Sequence, residues 1–209
     1  MKTALFVEST FEYTTSKFLV NTNCYGAALK SSILQLRGQN VKRIILIDGL
    51  FCSSRAVWQR ELKLALDHGV QIYGASSMGA LRAVELKQYG MIGYGWIFEK
   101  YLSGEIVGDD EVCLQYGFVD GKLIKYTYPL VEIRWMFHQN MDSIDPFISR
   151  RIIAQLSLVS YLERTHELIQ HTFDFYLGNR CSHQLLKDLI NGVYDIKKID
   201  ANALLNHLY

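Results

Sequence analysis

Proline is scarce in this chain: there are two in 209 residues, and no Pro-, Gly- or Ser-rich stretch forms a linker. An uninterrupted chain of this length is expected to make one domain of residues 1–209. An excess of one charge is also missing, since 22 Lys and Arg face 21 Asp and Glu for a formal charge of +1. That excludes binding carried by phosphate neutralisation, which needs concentrated basic surface. The densest basic spot, Lys197-Lys198, is flanked by Asp195 and Asp200. No nucleic-acid partner is expected.

No segment approaches the roughly 20 uninterrupted apolar residues of a membrane helix. The opening MKTALFVESTFEY starts like a signal peptide but meets Glu8 and Glu12 before an apolar core develops. The expected compartment is the cytoplasm, with no membrane partner. CxxC pairs are absent as well, and Cys24, Cys52, Cys113 and Cys181 stand far apart. This spacing suits neither a disulfide framework nor a zinc site, so the cysteines are expected to be reduced.

What is present is a globular composition, 49% apolar and 21% charged, outside the disordered class. Three β-rich runs mark the first third, at residues 4–7, 43–47 (RIILI) and 70–73 (VQIY). The second is continuously apolar, as in a strand buried on both faces of a parallel sheet. Between the second and third, VWQRELKLALDHG places Val57, Trp58, Leu62, Ala65 and Leu66 at helical spacing, and Gly69 stops the helix. This is a βαβ unit. GASSMG and a second amphipathic helix, ALRAVELKQYG, follow, so an α/β core with a mostly parallel sheet and flanking helices is expected.

Asp120-Gly121 between residues 111–117 and 122–126 predicts a β-hairpin. Residues 129–209 then read as helical: one helix from Pro129, one or two over 146–175, a shorter one over 182–191 and a tail near Ala201. The division expected within the domain is an α/β core with hairpin over 1–128 and packed C-terminal helices over 129–209.

Ala75-Ser76-Ser77-Met78-Gly79 ends a strand and opens a helix, the context and spacing of a nucleophile elbow. Small neighbours permit the tight turn, and backbone N–H groups at the helix start can hold an oxyanion. A serine there also serves as a plain helix cap. Six histidines offer no compelling base; the acids in reach are Glu61, Glu85 and Asp48, the last at the carboxyl end of the RIILI strand, where open α/β sheets bind ligands. As the residue before Gly49, Asp48 also suits a turn. Arg82 and Glu85, three apart, suit an ion pair, and Arg82 also suits an anionic substrate tail. Asp109-Asp110-Glu111 reads as a solvated acidic loop or docking edge rather than a metal site. Gly90, Gly93 and Gly95 follow a helix, the wrong context for a dinucleotide fingerprint, and mark a loop.

The run IDGLF, VWQRELKLAL, GASSMGALRAVEL, YGMIGYG, GEIVGDDEV and PLVEIR, spanning residues 43–134, resembles the TfuA-like proteins in order and spacing. The N-terminal forty residues lack the Gly-Pro-Ser and Pro-Pro-Ala signals of longer members, and Tyr116 stands where the pattern often has histidine. The resemblance implies a partner of YcaO enzymes, which use ATP to activate a peptide amide so that sulfide replaces its oxygen. It also implies release of that sulfide from the C-terminal thiocarboxylate of a ThiS-like sulfur-carrier protein. Neither cofactor nor metal is expected.

The family motifs fall on Asp48, Gly49, Glu61, residues 74–82, Glu85, residues 90–95, residues 109–111 and Arg134. The expected catalytic group is Ser77, with Glu61 or Asp48 handling the proton and Arg82 or Arg134 meeting the anion. Gly49, Gly74, Ser76, Gly79, Glu85, Asp110, Glu111 and Arg134 are expected to bind substrate. Water activated beside Ser77 competes with serine attack, and a non-catalytic adaptor competes with both. A cysteine persulfide relay through Cys52 or Cys113 is the weaker idea. The oligomeric state is open, a homo-oligomer included.

Overall fold

A continuously apolar strand has to be covered on both faces, and the element order supplies the cover. The structure, a computed structural model, describes residues 1–10, 21–51 and 55–209. Contacts divide the chain into two units, Met1–Val107 with Lys197–Tyr209, and Gly108–Ile196; each is described by itself.

In the first unit the strands are β1 (Thr3–Phe6), β2 (Thr22–Tyr25) and β3 (Arg43–Leu46), then helix α1 (Gln59–Asp67) and β4 (Gln71–Ala75). Helix α2 (Met78–Leu86), β5 (Ile92–Tyr94) and α3 (Trp96–Leu102) follow. Among the described residues these five strands make one sheet in the order β2-β1-β3-β4-β5, and each neighbouring pair is parallel. The expected α/β class with a parallel sheet is thus what the chain forms. Two strands go beyond the sequence reading. β2 (TNCY) is polar, and β5 occupies the segment of Gly90, Gly93 and Gly95 that reads as a loop.

Side chains alternate across the sheet. Ile44 shares a cavity wall with Leu64 and Ala65 of α1. Leu5, Val7, Ile45, Ile47 and Ala75 cluster instead with Ala201, Leu204 and Leu205. Those three belong to the last helix, Ile196–Leu208, where the sequence suggests only a tail. Each buried Leu or Ile contributes roughly 1.5–3 kcal/mol, so this helix is an integral layer of the unit.

The second unit begins with a 3-10 turn at Asp109–Glu111 and the antiparallel hairpin β6 (Tyr116–Val119) and β7 (Lys122–Lys125). Asp120 (φ 50°) and Gly121 (φ 76°) turn it, the paired left-handed conformation that an Asp-Gly loop supplies. The hairpin starts later than the sequence pattern suggests, because residues 109–111 coil rather than extend. Helices α4 (Leu130–Gln139), α5 (Pro146–Ser157), α6 (His166–Leu177) and α7 (Asn179–Ile190) follow. The helix Ile196–Leu208 is α8. Tyr128, Leu130, Ile133, Met136, Ile152 and Phe173 are among the residues of this unit's core.

Candidate functional site

The direction of chain travel sets the first candidate position. The chain leaves β1 for β2 on one side and leaves β3 for β4 on the other, so the connections diverge beyond the carboxyl ends of β1 and β3. Open α/β sheets bind ligands in the crevice such divergence creates. Asp48 lies there, just after β3, with only 2% of its surface exposed. Its Oδ2 accepts from the backbone N–H groups of Glu8 and Thr10, each at 2.9 Å, and its Oδ1 accepts from the Thr10 hydroxyl at 2.7 Å. Glu8 in turn accepts from the N–H of Ala27 at 3.1 Å. Ala28 forms a parallel bridge to Gly49. Two buried or half-buried carboxylates therefore tie together the segments that leave β1, β2 and β3.

The serine turn sits beside this crevice, at the end of β4. Ser76 has φ 69°, a left-handed backbone that costs a non-glycine residue roughly 1–2 kcal/mol. The strain thus falls on Ser76, one residue ahead of Ser77, whereas in a nucleophile elbow the nucleophile itself carries the strained turn. Ser77 (φ −95°, ψ −118°) occupies the N-cap position of α2, yet its side chain makes no capping hydrogen bond. The plain-cap role is therefore unfilled.

The flanking glycines explain the motif's spacing. A Cβ on Gly79 would strike the carbonyl of Leu46, and one on Gly74 the carbonyl of Gly79. Close approach between α2 and the ends of β3 and β4 requires both. At Gly49 a Cβ would lie 2.8 Å from Met78 Cγ.

The backbone donors of the turn are only partly free. The N–H of Gly79 donates to the carbonyl of Ile47 at 3.1 Å, and that of Ala80 to the carbonyl of Ser77 at 3.1 Å. Those two amides are spent on the fold. The amides of Ser77 and Met78 meet no acceptor among the described residues. Both serines are buried, Ser76 at 0% and Ser77 at 3% exposure. The cavity of about 430 Å³ in this unit is lined by Ile33, Val41, Ile44, Glu61, Leu64 and His68 among others, not by either serine.

Thr10 is the residue that sequence reasoning passed over. Its hydroxyl oxygen lies 3.4 Å from Ser76 Oγ while donating to Asp48, so it links two predicted site residues. The available signal was positional: the carboxyl end of β1 lies on the same ligand-side edge as Asp48.

Glu61 and Arg82 are committed elsewhere. Glu61 (3% exposed) accepts from the N–H groups of Trp58, Ser31 and Ile33 at 3.0, 3.1 and 3.1 Å. It caps α1 and fastens residues 31–33 to it. Arg82 donates from Nε to the carbonyl of Val57 at 3.1 Å and from Nη1 to Glu85 at 2.6 Å, the ion pair that their spacing suggests. Among the described residues, none of these bonds runs to the serine turn.

The remaining candidates lie in the second unit. Glu111 accepts from Arg134 in a two-pronged pair, Nε to Oε2 at 2.9 Å and Nη2 to Oε1 at 2.7 Å. Asp110 turns instead to Arg164, which is fully buried. The two neighbouring carboxylates thus serve different arginines. Among the described residues no group of three His, Cys, Asp or Glu side chains is placed to hold a metal ion.

Of the cysteines, Cys113 is buried and donates to the carbonyl of Asp109. Burial pushes the Cys24 thiol up from its ordinary value, away from the thiolate that sulfur relay needs. Cys52 lies outside the described residues. No described helix is long and apolar enough to cross a membrane.

Sheet order, the crevice at β1 and β3 and the serine turn on the same edge define a doubly wound α/β protein with a ligand-side hydroxyl turn. Residues 48–165 match the TfuA-like protein pattern, more than half of the 209 residues, and the chain belongs to the TfuA-like family. The matched span begins at Asp48 and takes in the serine turn and the Arg164 cluster. No curated protein matches the chain.

Proposed function

We propose that this TfuA-like protein delivers sulfur to a YcaO-type enzyme by releasing sulfide from the C-terminal thiocarboxylate of a ThiS-like carrier protein. The observation that carries the reading is Ser77: it stands at the helix start without capping it, beside two amides with no acceptor among the described residues. A serine that does not cap its helix, next to backbone donors that can meet an oxyanion, is what acyl transfer uses.

In this reading Ser77 Oγ bonds to the carrier's terminal carbonyl carbon. The carbonyl oxygen takes up negative charge and is held by the amides of Ser77 and Met78. The C–S bond then breaks. The serine proton leaves on the thiocarboxylate sulfur, so the products are a serine ester and hydrosulfide. Water hydrolyses the ester, giving a carboxylate and a proton and restoring Ser77. Because the substrate's own sulfur carries the first proton away, the step closes without a histidine. Asp48, with three donors on it, acts by fixing the crevice and, through Thr10, the turn. Gly49, Gly74 and Gly79 keep the turn close to the sheet edge, and Ser76 shapes it. Glu61, Arg82 and Glu85 support the walls around it, while Asp110, Glu111 and Arg134 belong to a docking face for the protein partners.

The low exposure of the two serines favours one competing reading, an adaptor that docks the YcaO enzyme and its sulfur donor without chemistry. Purified protein mixed with thiocarboxylated carrier alone separates the two. The enzyme reading expects sulfide release that falls by orders of magnitude in Ser77→Ala. Near-normal release by that variant rejects serine attack, and no release by the wild type, with YcaO-dependent thioamidation still stimulated, selects the adaptor.

A further inference from the structure

Asp48 and the serine turn are joined through a single side chain. Thr10 gives Asp48 its backbone N–H at 2.9 Å and its hydroxyl proton at 2.7 Å. A threonine hydroxyl has one proton to donate. That proton being used, only the oxygen lone pairs of Thr10 remain for Ser76, whose Oγ is 3.4 Å away. The direction of the chain is therefore set: Ser76 donates toward Thr10, and Thr10 donates to Asp48. Thr10, Asp48 and Ser76 are all buried, where water does not compete with so long a contact. Ser76 is also the residue held in the left-handed backbone immediately before Ser77.

We infer that Thr10 is a positioning residue for the serine turn, coupling the Asp48 carboxylate to Ser76 and so fixing where Ser77 presents its hydroxyl. The inference rests on the serine-dependent sulfide release proposed above. In that reaction Thr10 touches neither substrate nor reacting atoms; it acts through Ser76. Its effect therefore belongs to the chemical step and not to carrier binding.

The test uses the full chain and a thiocarboxylated ThiS-like carrier. Thr10→Val keeps the shape and removes the hydroxyl; it is expected to lower kcat by about a hundredfold, the scale of a small misplacement of a reacting group. KM should stay within about twofold, because ground-state binding is untouched. Thr10→Ser restores the hydroxyl and should recover kcat to within roughly threefold of wild type. Wild-type kcat in folded Thr10→Val, or a Thr10→Ser variant as slow as Thr10→Val, overturns the inference.

Should Thr10→Val not fold, Ser76→Gly replaces it. Glycine accepts the left-handed backbone without strain while removing the other end of the contact, so this variant is expected to be stable and slow. Wild-type speed in it likewise overturns the inference. A carrier-free readout separates this question from the sulfide reading: the rate at which a fluorophosphonate modifies Ser77, mapped by mass spectrometry. If wild type is labelled but releases no sulfide, the sulfide reading fails, and a rate in Thr10→Val equal to wild type overturns the Thr10 role while a slower one upholds it. If wild type neither labels nor releases, both fall together.

Discussion

The guanidinium of Arg164 holds Asp110 at two points, its side chain and its own carbonyl oxygen, the latter at 3.0 Å. Its Nε reaches the carbonyls of Leu156 and Val159, each at 3.1 Å. One buried side chain thus fixes the acidic turn of the second unit to the end of α5. Only a planar fork of donors satisfies acceptors spread in this way.

Arg164→Lys keeps the charge but loses the fork, leaving buried carbonyls without donors. It is expected to destabilise the protein by about 3 kcal/mol. Urea unfolding followed by tryptophan fluorescence measures this, and a change within about 0.5 kcal/mol, ordinary for a surface substitution, would show the network to be dispensable.

The glycines make a sharper contrast. At Gly79 an added methyl group would run into the carbonyl of Leu46, whereas Gly90, at φ 94°, has nothing within 4 Å. Gly79→Ala must move a helix off a strand and should cost more than about 3 kcal/mol. Gly90→Ala bears only left-handed strain, roughly 1 kcal/mol. Thermal denaturation of the pair tests the order; equal melting temperatures would contradict the close approach of α2 to β3.

Asp200 gives a pH dependence of defined sign. Burial raises its carboxyl from 3.8 to about 6, with the N–H groups of Ile97 and Trp96 pulling the other way. The native state then keeps this proton to higher pH than the unfolded chain does. Its contribution is fully present below about pH 4 and is lost as pH rises through about 6, a change of roughly 3 kcal/mol. Wild type minus Asp200→Asn stability, measured by denaturant titration from about pH 4 to 7, should decline across that window. A flat difference would mean that the carboxyl is not held up in the folded protein.

How legible was this in the sequence? The RIILI run announced a strand covered on both faces because, after Arg43, it has no polar residue to turn outward. The Ser76-Ser77 turn showed itself through small residues whose spacing only a crowded strand-to-helix junction demands. Asp120-Gly121 announced the hairpin through the backbone angles those residues tolerate. β2 was hidden by its composition, since TNCY at a sheet edge lacks the apolar signal of a central strand. β5 was hidden by its glycines. The final helix disguised its apolar stripe by burying Lys197 and Asp200 as well. Thr10 was hidden for a different reason: its partners lie 38 and 66 residues away, and no local pattern encodes a meeting at that range.

The return of the last helix to the sheet affects the order of events during synthesis. Leu5, Val7, Ile45 and Ile47 wait for Ala201, Leu204 and Leu205 before their cluster closes. A ribosome has therefore already produced every residue of Gly108–Ile196 while the earlier strands still lack part of their cover. For that interval the nascent sheet carries an unshielded greasy side, and chaperone demand falls on the half of the chain made first.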